Sequence, residues 1–283
     1  MNSTLYATPE MVTDLSSCAF YHSTNLPGYG EIEGEWDLRG NVDKYLGNVT
    51  FNGKRCLEIG SADGFLSFEI EKRGAEIVCF DLSPQLSLDV IPFARGDITA
   101  ARAQAAEKIG GMNNAFWLSH RLFESQAKMV YGHAYNVPES IGSVEITTFG
   151  SILMHLRDPF LALSSACRLT TETIIVTDAL NPIHMPAALR SLRNRLPAEL
   201  RRPAMRFRAD WRNRDWLSQQ AQWWVILPEL VQEFLGVLGF EKTTISYHSQ
   251  EFSGASRGSG LSKRTRRAMY TVVAKRTVPL ELA

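Results

Sequence analysis

The residues best placed to do chemistry are Glu58-Ile59-Gly60-Ser61-Ala62-Asp63-Gly64 and, further along, Asp81. A glycine turn between a strand and a helix points free backbone N–H groups into a crevice. Gly60 lets the chain turn, and Gly64 lets the helix approach the strand. Asp81 follows Gly60 by 21 residues, near the roughly 20-residue spacing at which an acid reaches a pair of ribose hydroxyls. A dinucleotide site wants Gly-x-Gly-x-x-Gly, because the middle glycine admits a pyrophosphate. Here the pattern is Glu-x-Gly-x-x-x-Gly with carboxylates at Glu58 and Asp63. Two acids repel a diphosphate. They suit a cofactor with a cationic ammonium and sulfonium and no phosphate, and S-adenosylmethionine has that charge pattern with a ribose for Asp81. The same residues have structural alternatives: Asp63 as a helix cap, and Asp81 as the cap of a turn before Ser83-Pro84.

These side chains need a scaffold, and the surrounding residues supply one. Arg55 to Ile59 reads as a short buried strand, Phe65 to Lys72 as an amphipathic helix, and Ile77 to Phe80 as the next strand, ending at Asp81. Strand, glycine turn, helix, strand is a βαβ unit, and so a parallel sheet with right-handed crossovers. The alternation continues with a helical Ala100–Lys108 ended by Gly110-Gly111, a second helical piece over Ala115–Ala127, and strands over Lys128–Tyr131 and Val144–Phe149. A helix over Asp158–Leu169 with Pro159 in its first turn and a strand over Thr173–Thr177 follow. Pro228 to Leu238 is a helix closed by Gly239, and Lys242–Tyr247 and Ala268–Ala274 read as two late strands. Their connection, Ser249–Arg267, is too long for a tight hairpin and is expected to be mobile. The expected fold class is α/β: a doubly wound, seven-stranded, mostly parallel sheet. Residues 1–50 form an N-terminal extension, 51–179 with 225–277 the main domain, and 180–224 an Arg- and Trp-rich helical insertion read as a lid.

Composition bounds the function classes. The chain has 283 residues, 45% hydrophobic and 21% charged, values of a soluble globular protein whose core needs no disulfide or metal staple. No apolar run reaches the ~18 residues that span a bilayer, and the N-terminus lacks a signal-peptide pattern. A cytoplasmic protein without a membrane partner is expected. Cys18, Cys56, Cys79 and Cys167 lie far apart without a C-x-x-C, so neither a zinc site nor a disulfide framework is expected. The net charge of zero hides an asymmetry: residues 1–189 carry 13 Lys/Arg against 22 Asp/Glu, and residues 190–276 carry 17 against 7. Such a basic stretch is either a solvated helical face or a surface for an anionic partner.

The Glu58–Gly64 segment resembles the first motif of class I S-adenosylmethionine-dependent methyltransferases, and Phe80-Asp81 resembles their ribose-binding acid. Met154-His155-Leu156-Arg157-Asp158-Pro159 resembles a later segment of that superfamily, especially the branch with tRNA wobble-uridine methyl- and carboxymethyltransferases and many small-molecule enzymes. The resemblance covers residues 54–178 well and 228–275 more weakly. It implies the Rossmann-like methyltransferase fold, S-adenosyl-L-methionine as cofactor and S-adenosyl-L-homocysteine as product. Carried over by position, it implies that Gly60, Ser61 and Gly64 line the methionine part, with Glu58 or Asp63 near its ammonium. Asp81 would hold the ribose, with Leu82 beside it. His133-Ala134-Tyr135 would lie at the adenine edge, where many relatives carry an acid, and Gly150-Ser151 beside the sulfonium.

A methyltransferase aligns its acceptor with the methyl group and excludes water, and a protonated acceptor also needs a base. His155 is the first candidate, and Asp178 the second, with a turn cap as its competing role. Trp223, Trp224, Tyr247 and His248 could form an aromatic wall, and Arg157, Arg206, Arg208 or Arg212 could clamp a carboxylate. The expected reaction is methyl transfer to O, N or a thioether S of a small molecule carrying an anionic group; a homo-oligomer stays open. The alternative is a tRNA wobble-uridine enzyme, favoured by the basic 190–276 stretch and opposed by arginines that alternate with Leu, Trp and Pro. A non-catalytic cofactor-binding protein is the third reading.

Overall fold

The structure is a computed structural model that describes residues 5–86, 88–180, 203–213, 215, 217–253 and 264–279. After a short hairpin of β1 (Thr24–Leu26) and β2 (Gly30–Ile32) come β3 (Trp36–Asp37) and α1 (Val42–Tyr45). The alternating part runs β4 (Arg55–Ile59), α2 (Phe65–Lys72), β5 (Glu76–Asp81), α3 (Ile98–Leu122), β6 (Lys128–Tyr131), β7 (Val144–Gly150), α4 (Pro159–Cys167) and β8 (Thr170–Ala179). A second small hairpin pairs β9 (Met205–Phe207) with β10 (Trp224–Ile226), and α5 (Pro228–Val237), β11 (Lys242–Phe252) and β12 (Thr265–Lys275) close the chain.

The large sheet has the order β6-β5-β4-β7-β8-β12-β11-β3. The strands from β6 to β8 pair in parallel, and β12 runs antiparallel to both its neighbours. The seven strands read from the sequence are thus present, in a doubly wound α/β sheet of Rossmann-like type, and β3 adds a short eighth at the edge through Trp36 and Asp37.

Strand periodicity explains the double winding. Leu57, Ile59, Val78, Phe80, Ile174 and Val176 face one core with α4 and α5. Their neighbours Cys56, Ile77, Cys79 and Ile175 face the other, against α1, α2 and α3. Buried on both faces, the strands read as continuous apolar runs.

Two expectations change. Residues 98–122 are one 25-residue helix, not two pieces broken at Gly110-Gly111. The glycines stay helical because the N-terminal segment needs the room: a Cβ on Gly111 would stand 2.8 Å from that of Ala19, whose N–H donates to the Gly111 carbonyl at 2.8 Å. The late strands also extend into the supposed long connection, to Phe252 and from Thr265; residues 254–263 of that connection lie outside the described ones. Of the insertion expected to be helical over 180–224, residues 181–202 also lie outside the described ones, and the described part holds the β9–β10 hairpin and a 3₁₀ turn at Leu217–Gln219 in place of a helix.

Candidate functional site

The winding reverses between β4 and β7. From β4 the chain moves outward to β5 and β6, then returns to β7 and proceeds the other way to β8 and the late strands. In open α/β sheets ligands sit at this switch point, beyond the strand C-termini. The Gly60–Gly64 turn leaves β4 there, and Gly150-Ser151 closes β7 beside it.

Each loop holds a non-glycine residue in the left-handed region, Ala62 at φ 50° and Ser151 at φ 54°. Such backbone costs of order 1 kcal/mol and persists where neighbours enforce it. Ser151 N–H donates to the Thr177 carbonyl at 2.7 Å, and its hydroxyl pairs with that of Tyr45 at 3.1 Å. Ala62 N–H donates to Asp81 Oδ2 at 2.6 Å. Gly60 is also left-handed, and a Cβ there would stand 2.6 Å from Ile152 Cδ1, which crosses over from the β7 loop.

The turn is a poor anion cradle. Besides Ala62, Gly60 N–H donates to the Phe80 carbonyl and Gly64 N–H to that of Ser61, both at 2.8 Å. No Lys or Arg occurs between Glu58 and Glu71. What the turn presents instead is acid. Asp81, half-buried at the end of β5, accepts from Ala62 and Leu82 N–H at 2.6 Å each, one per oxygen. Burial raises its pKa to about 6, against the pull of those two N–H groups, with the Asp63 charge adding to the rise. Glu58 is fully buried, accepts from the Ser67 hydroxyl, and is pushed by burial to about 8.

Asp63 does something the sequence did not announce. Its Oδ2 accepts Tyr21 N–H at 2.8 Å and His22 N–H at 2.6 Å, and its Oδ1 meets His22 Nδ1 at 2.7 Å. The carboxylate therefore pins the N-terminal extension across the turn, and His22 stacks on Phe65 at 5.5 Å. The helix-cap reading of Asp63 has only a long 3.4 Å contact from Phe65 N–H. Tyr21 and His22 had no spacing signal, lying some 40 residues upstream.

Beyond β7, Leu153–His155 forms a 3₁₀ turn. His155 Nδ1 bonds the Ala221 carbonyl. A carbonyl only accepts, so Nδ1 carries the proton and Nε2 keeps its lone pair in the neutral ring. Burial holds the ring pKa below its ordinary value, with Lys108 and Arg208 adding to the fall. Ala134 is buried in the core beside the β6 loop. The Tyr135 hydroxyl bonds Asp89 and accepts Arg157 N–H at 2.8 Å. Asp89, unflagged in the sequence, thus ties three segments together, because its own carbonyl accepts Trp223 Nε1 at 2.6 Å.

The described insertion docks on the same loop. Trp223 N–H donates to the Met154 carbonyl at 2.9 Å, and Trp224 Nε1 to that of Arg157 at 3.1 Å. Both indoles flank Phe207, which spends them on fastening the hairpin. Arg157 and Arg206 are exposed, Arg212 stacks on Trp211 at 4.7 Å, and Arg208 is half-buried. Tyr247 and His248 cannot share one wall. Tyr247 faces the α4–α5 core, while His248 turns to the opposite face, bonding Thr271 and Gln250.

Asp178 ends this row at the tip of β8. Only 3% exposed, it accepts Ala179 N–H through Oδ1 at 2.6 Å. Burial raises it to about 7, against the Ala179 and Met154 N–H groups and the Arg208 charge. With Glu58 near 8, the folded chain holds protons that unfolded carboxyls release near pH 4. Raised acids destabilise the fold as pH climbs through their folded pKa. His155 and His248 act oppositely, but only below about pH 6.5, where unfolded histidines protonate. Cofactor-free protein is therefore expected to melt higher at about pH 6.5 than at about pH 8.5; calorimetric scans with the reverse order would contradict these buried acids.

No known protein-family profile matches the sequence, and no curated protein matches it. Among solved structures, the chain is similar to the N-terminal domain of EvdMO1 with SAH and D-fucose, at 14% identity over 93% of each chain and a TM-score of 0.48. It is similar to magnesium protoporphyrin IX methyltransferase (ChlM) from Synechocystis PCC 6803 with bound SAH, at 11% identity over 85% of this chain and 82% of that one, TM-score 0.46. It is also similar to a putative RNA methyltransferase from Pyrococcus horikoshii, at 13% identity over 84% and 85%, TM-score 0.47. Likenesses this distant decide neither the acceptor nor the residues that meet it. No helix among the described residues is long and apolar enough to cross a membrane.

Proposed function

We propose that this protein is an S-adenosylmethionine-dependent methyltransferase acting on a small-molecule acceptor. The observation that carries the reading is the strand-end site itself: an acid at the tip of β5 bonded to a glycine turn whose Gly60, Ala62 and Gly64 amides are already paired, at the switch point of the sheet. The residues fit the cofactor's chemistry. Each Asp81 oxygen uses one lone pair on a backbone N–H and keeps another for a ribose hydroxyl. The turn carries no Lys or Arg, and its Glu58, Asp63 and Asp81 carboxyl groups suit an ammonium and a sulfonium better than a phosphate. Asp81 with Leu82 would hold the nucleoside, Ala134 and Tyr135 would lie toward the base, and Gly60, Ser61 and Glu58 would lie along the methionine part. Gly150 and Ser151 would flank the sulfur. Gly64 serves the approach of α2, and Asp63 serves by holding Tyr21 and His22 over the turn.

When bound, the cofactor supplies an electrophilic methyl carbon. The chain's own task is to orient an acceptor and keep water out. The N-terminal segment and the β9–β10 hairpin support that task from two sides, which makes the hairpin a lid in this reading. His155, with its lone pair at Nε2, contacts the acceptor. Arg208, half-buried and with no ion pair among the described residues, meets its anionic group, with Tyr247 and the Trp223–Trp224 pair nearby. Arg157 and Arg206 lie too exposed for more than the rim.

Calorimetry tests the cofactor directly. S-adenosylhomocysteine is expected to bind and NAD is not; binding of NAD alone would overturn the reading. Retention of labelled tRNA that weakens steeply with salt would replace the small acceptor by RNA.

A further inference from the structure

Beyond the site above lie the Phe160–Phe234 ring pair, the His22–Asp63 clasp and the tip of β8. The last carries an inference. Among the described residues Asp178 Oδ2 is buried and makes no hydrogen bond of good geometry, although Oδ1 is satisfied and the Met154 N–H lies near enough to pull on the carboxylate. A buried acceptor left unpaired costs of order 1–3 kcal/mol, and native structures retain one chiefly where a ligand or water completes it. It stands beside the β7 loop, because Thr177, its chain neighbour, pairs with Gly150 and accepts Ser151 N–H. The row across the sheet is polar as well. Asp178 lies opposite Tyr270, and Tyr270 opposite Tyr247. Tyr270 OH donates to the Ile226 carbonyl at 3.1 Å, whereas the buried Tyr247 hydroxyl has no hydrogen-bond partner among the described residues. Asp178 is coupled to groups of four other elements: its charge raises Tyr21 of the extension, Tyr45 of α1 and Tyr270 of β12, and Arg208 after β9 acts on it in turn, lowering it.

We infer that Asp178 Oδ2 accepts the proton of the methyl acceptor, so that the acceptor is a protic small molecule, a hydroxyl or amine bearing an anionic group for Arg208, and not a thioether. The inference rests on the methyltransferase reading. In the step, the acceptor's O–H or N–H bond breaks as its proton passes to Asp178 Oδ2. The acceptor's lone pair forms the new bond to the methyl carbon, and the old C–S pair returns to sulfur as a neutral thioether. A thioether acceptor has no proton to give and would leave Oδ2 idle.

The experiment compares wild type with Asp178→Asn, which keeps an oxygen for Ala179 N–H. Four readouts are expected. Isothermal titration with S-adenosylhomocysteine gives affinities within about twofold of each other. The Asn variant melts higher than wild type at about pH 8, because a buried charge is gone. Turnover with [methyl-13C]S-adenosylmethionine and a low-molecular-mass metabolite extract falls by about 100-fold, and its rise with pH near neutrality disappears. The carbon shift of the wild-type product is that of an O-methyl or N-methyl group. An S-methyl or C-methyl product, or an Asn variant with full turnover, would overturn the inference. So would a variant that loses both turnover and melting temperature, since that marks Asp178 as structural. Wild type that fails to bind S-adenosylhomocysteine would instead remove the methyltransferase reading beneath it.

Discussion

Replacing Asp63 by alanine is expected to loosen the N-terminal extension and cost about 3 kcal/mol or more of stability. Three donors converge on this carboxylate: the N–H groups of Tyr21 and His22 and the His22 ring. The carboxylate is 3% exposed and His22 8%, so water cannot replace it without opening the interface. Each donor left unsatisfied costs about 1–3 kcal/mol. For a chain of this size that corresponds to a melting shift of roughly 6–12 °C. Limited proteolysis should then cut within residues 1–30 well before the sheet. Asp63→Asn, which keeps one acceptor oxygen, should lie between. A shift below about 2 °C with an unchanged cleavage pattern would mean that the packing of Cys18 and Leu26 on Ala115 and Leu118 holds the extension alone.

That clasp also marks where the sequence stops being legible. The βαβ rhythm could be read because each strand is buried on both faces and each helix on one, which leaves apolar runs and stripes in the chain itself. The Gly60–Gly64 turn and Asp81 could be read because local backbone geometry fixes their spacing. His22 meeting Asp63 has no such period. The two are joined only by the path of an extension whose composition is ordinary. Asp89 was silent for the same reason: its partners Tyr135, Arg157 and Trp223 come from three distant segments.

The misreadings have physical causes. Gly110-Gly111 looks like a helix stop because glycine disfavours helix, yet the approach of Ala19 rewards a missing Cβ. Tyr247 and His248 are adjacent aromatic residues, but a strand sends neighbours to opposite faces. For Asp178, a turn cap and a site residue looked like alternatives; its two oxygens take different parts, with Oδ1 on Ala179 N–H and Oδ2 without a hydrogen bond of good geometry among the described residues.

Asp81→Asn is expected to weaken S-adenosylhomocysteine binding by roughly ten- to a hundredfold, about 1.5–3 kcal/mol for a charged hydrogen-bond partner. Asparagine has one acceptor oxygen where the carboxylate has two, so it cannot serve both Ala62 N–H and Leu82 N–H and still receive two ribose hydroxyls. The wild-type pH dependence should carry the same signature. Partial burial puts the free carboxyl near pH 6, and only the ionised form accepts on both oxygens. Affinity should therefore be level above about pH 7 and fall as the solution is acidified below about 6, by up to tenfold per unit. Asp81→Asn should show a flat profile over that range while keeping a cooperative melt. If Asp81 merely caps the turn before Ser83-Pro84, the outcome differs: the variant would melt lower, bind S-adenosylhomocysteine with undiminished affinity, and share the wild-type pH profile. Calorimetric titrations of both proteins between about pH 5 and 8 separate the two roles, because a cap acts on the fold at every pH and a ribose ligand acts on the cofactor only while it is ionised.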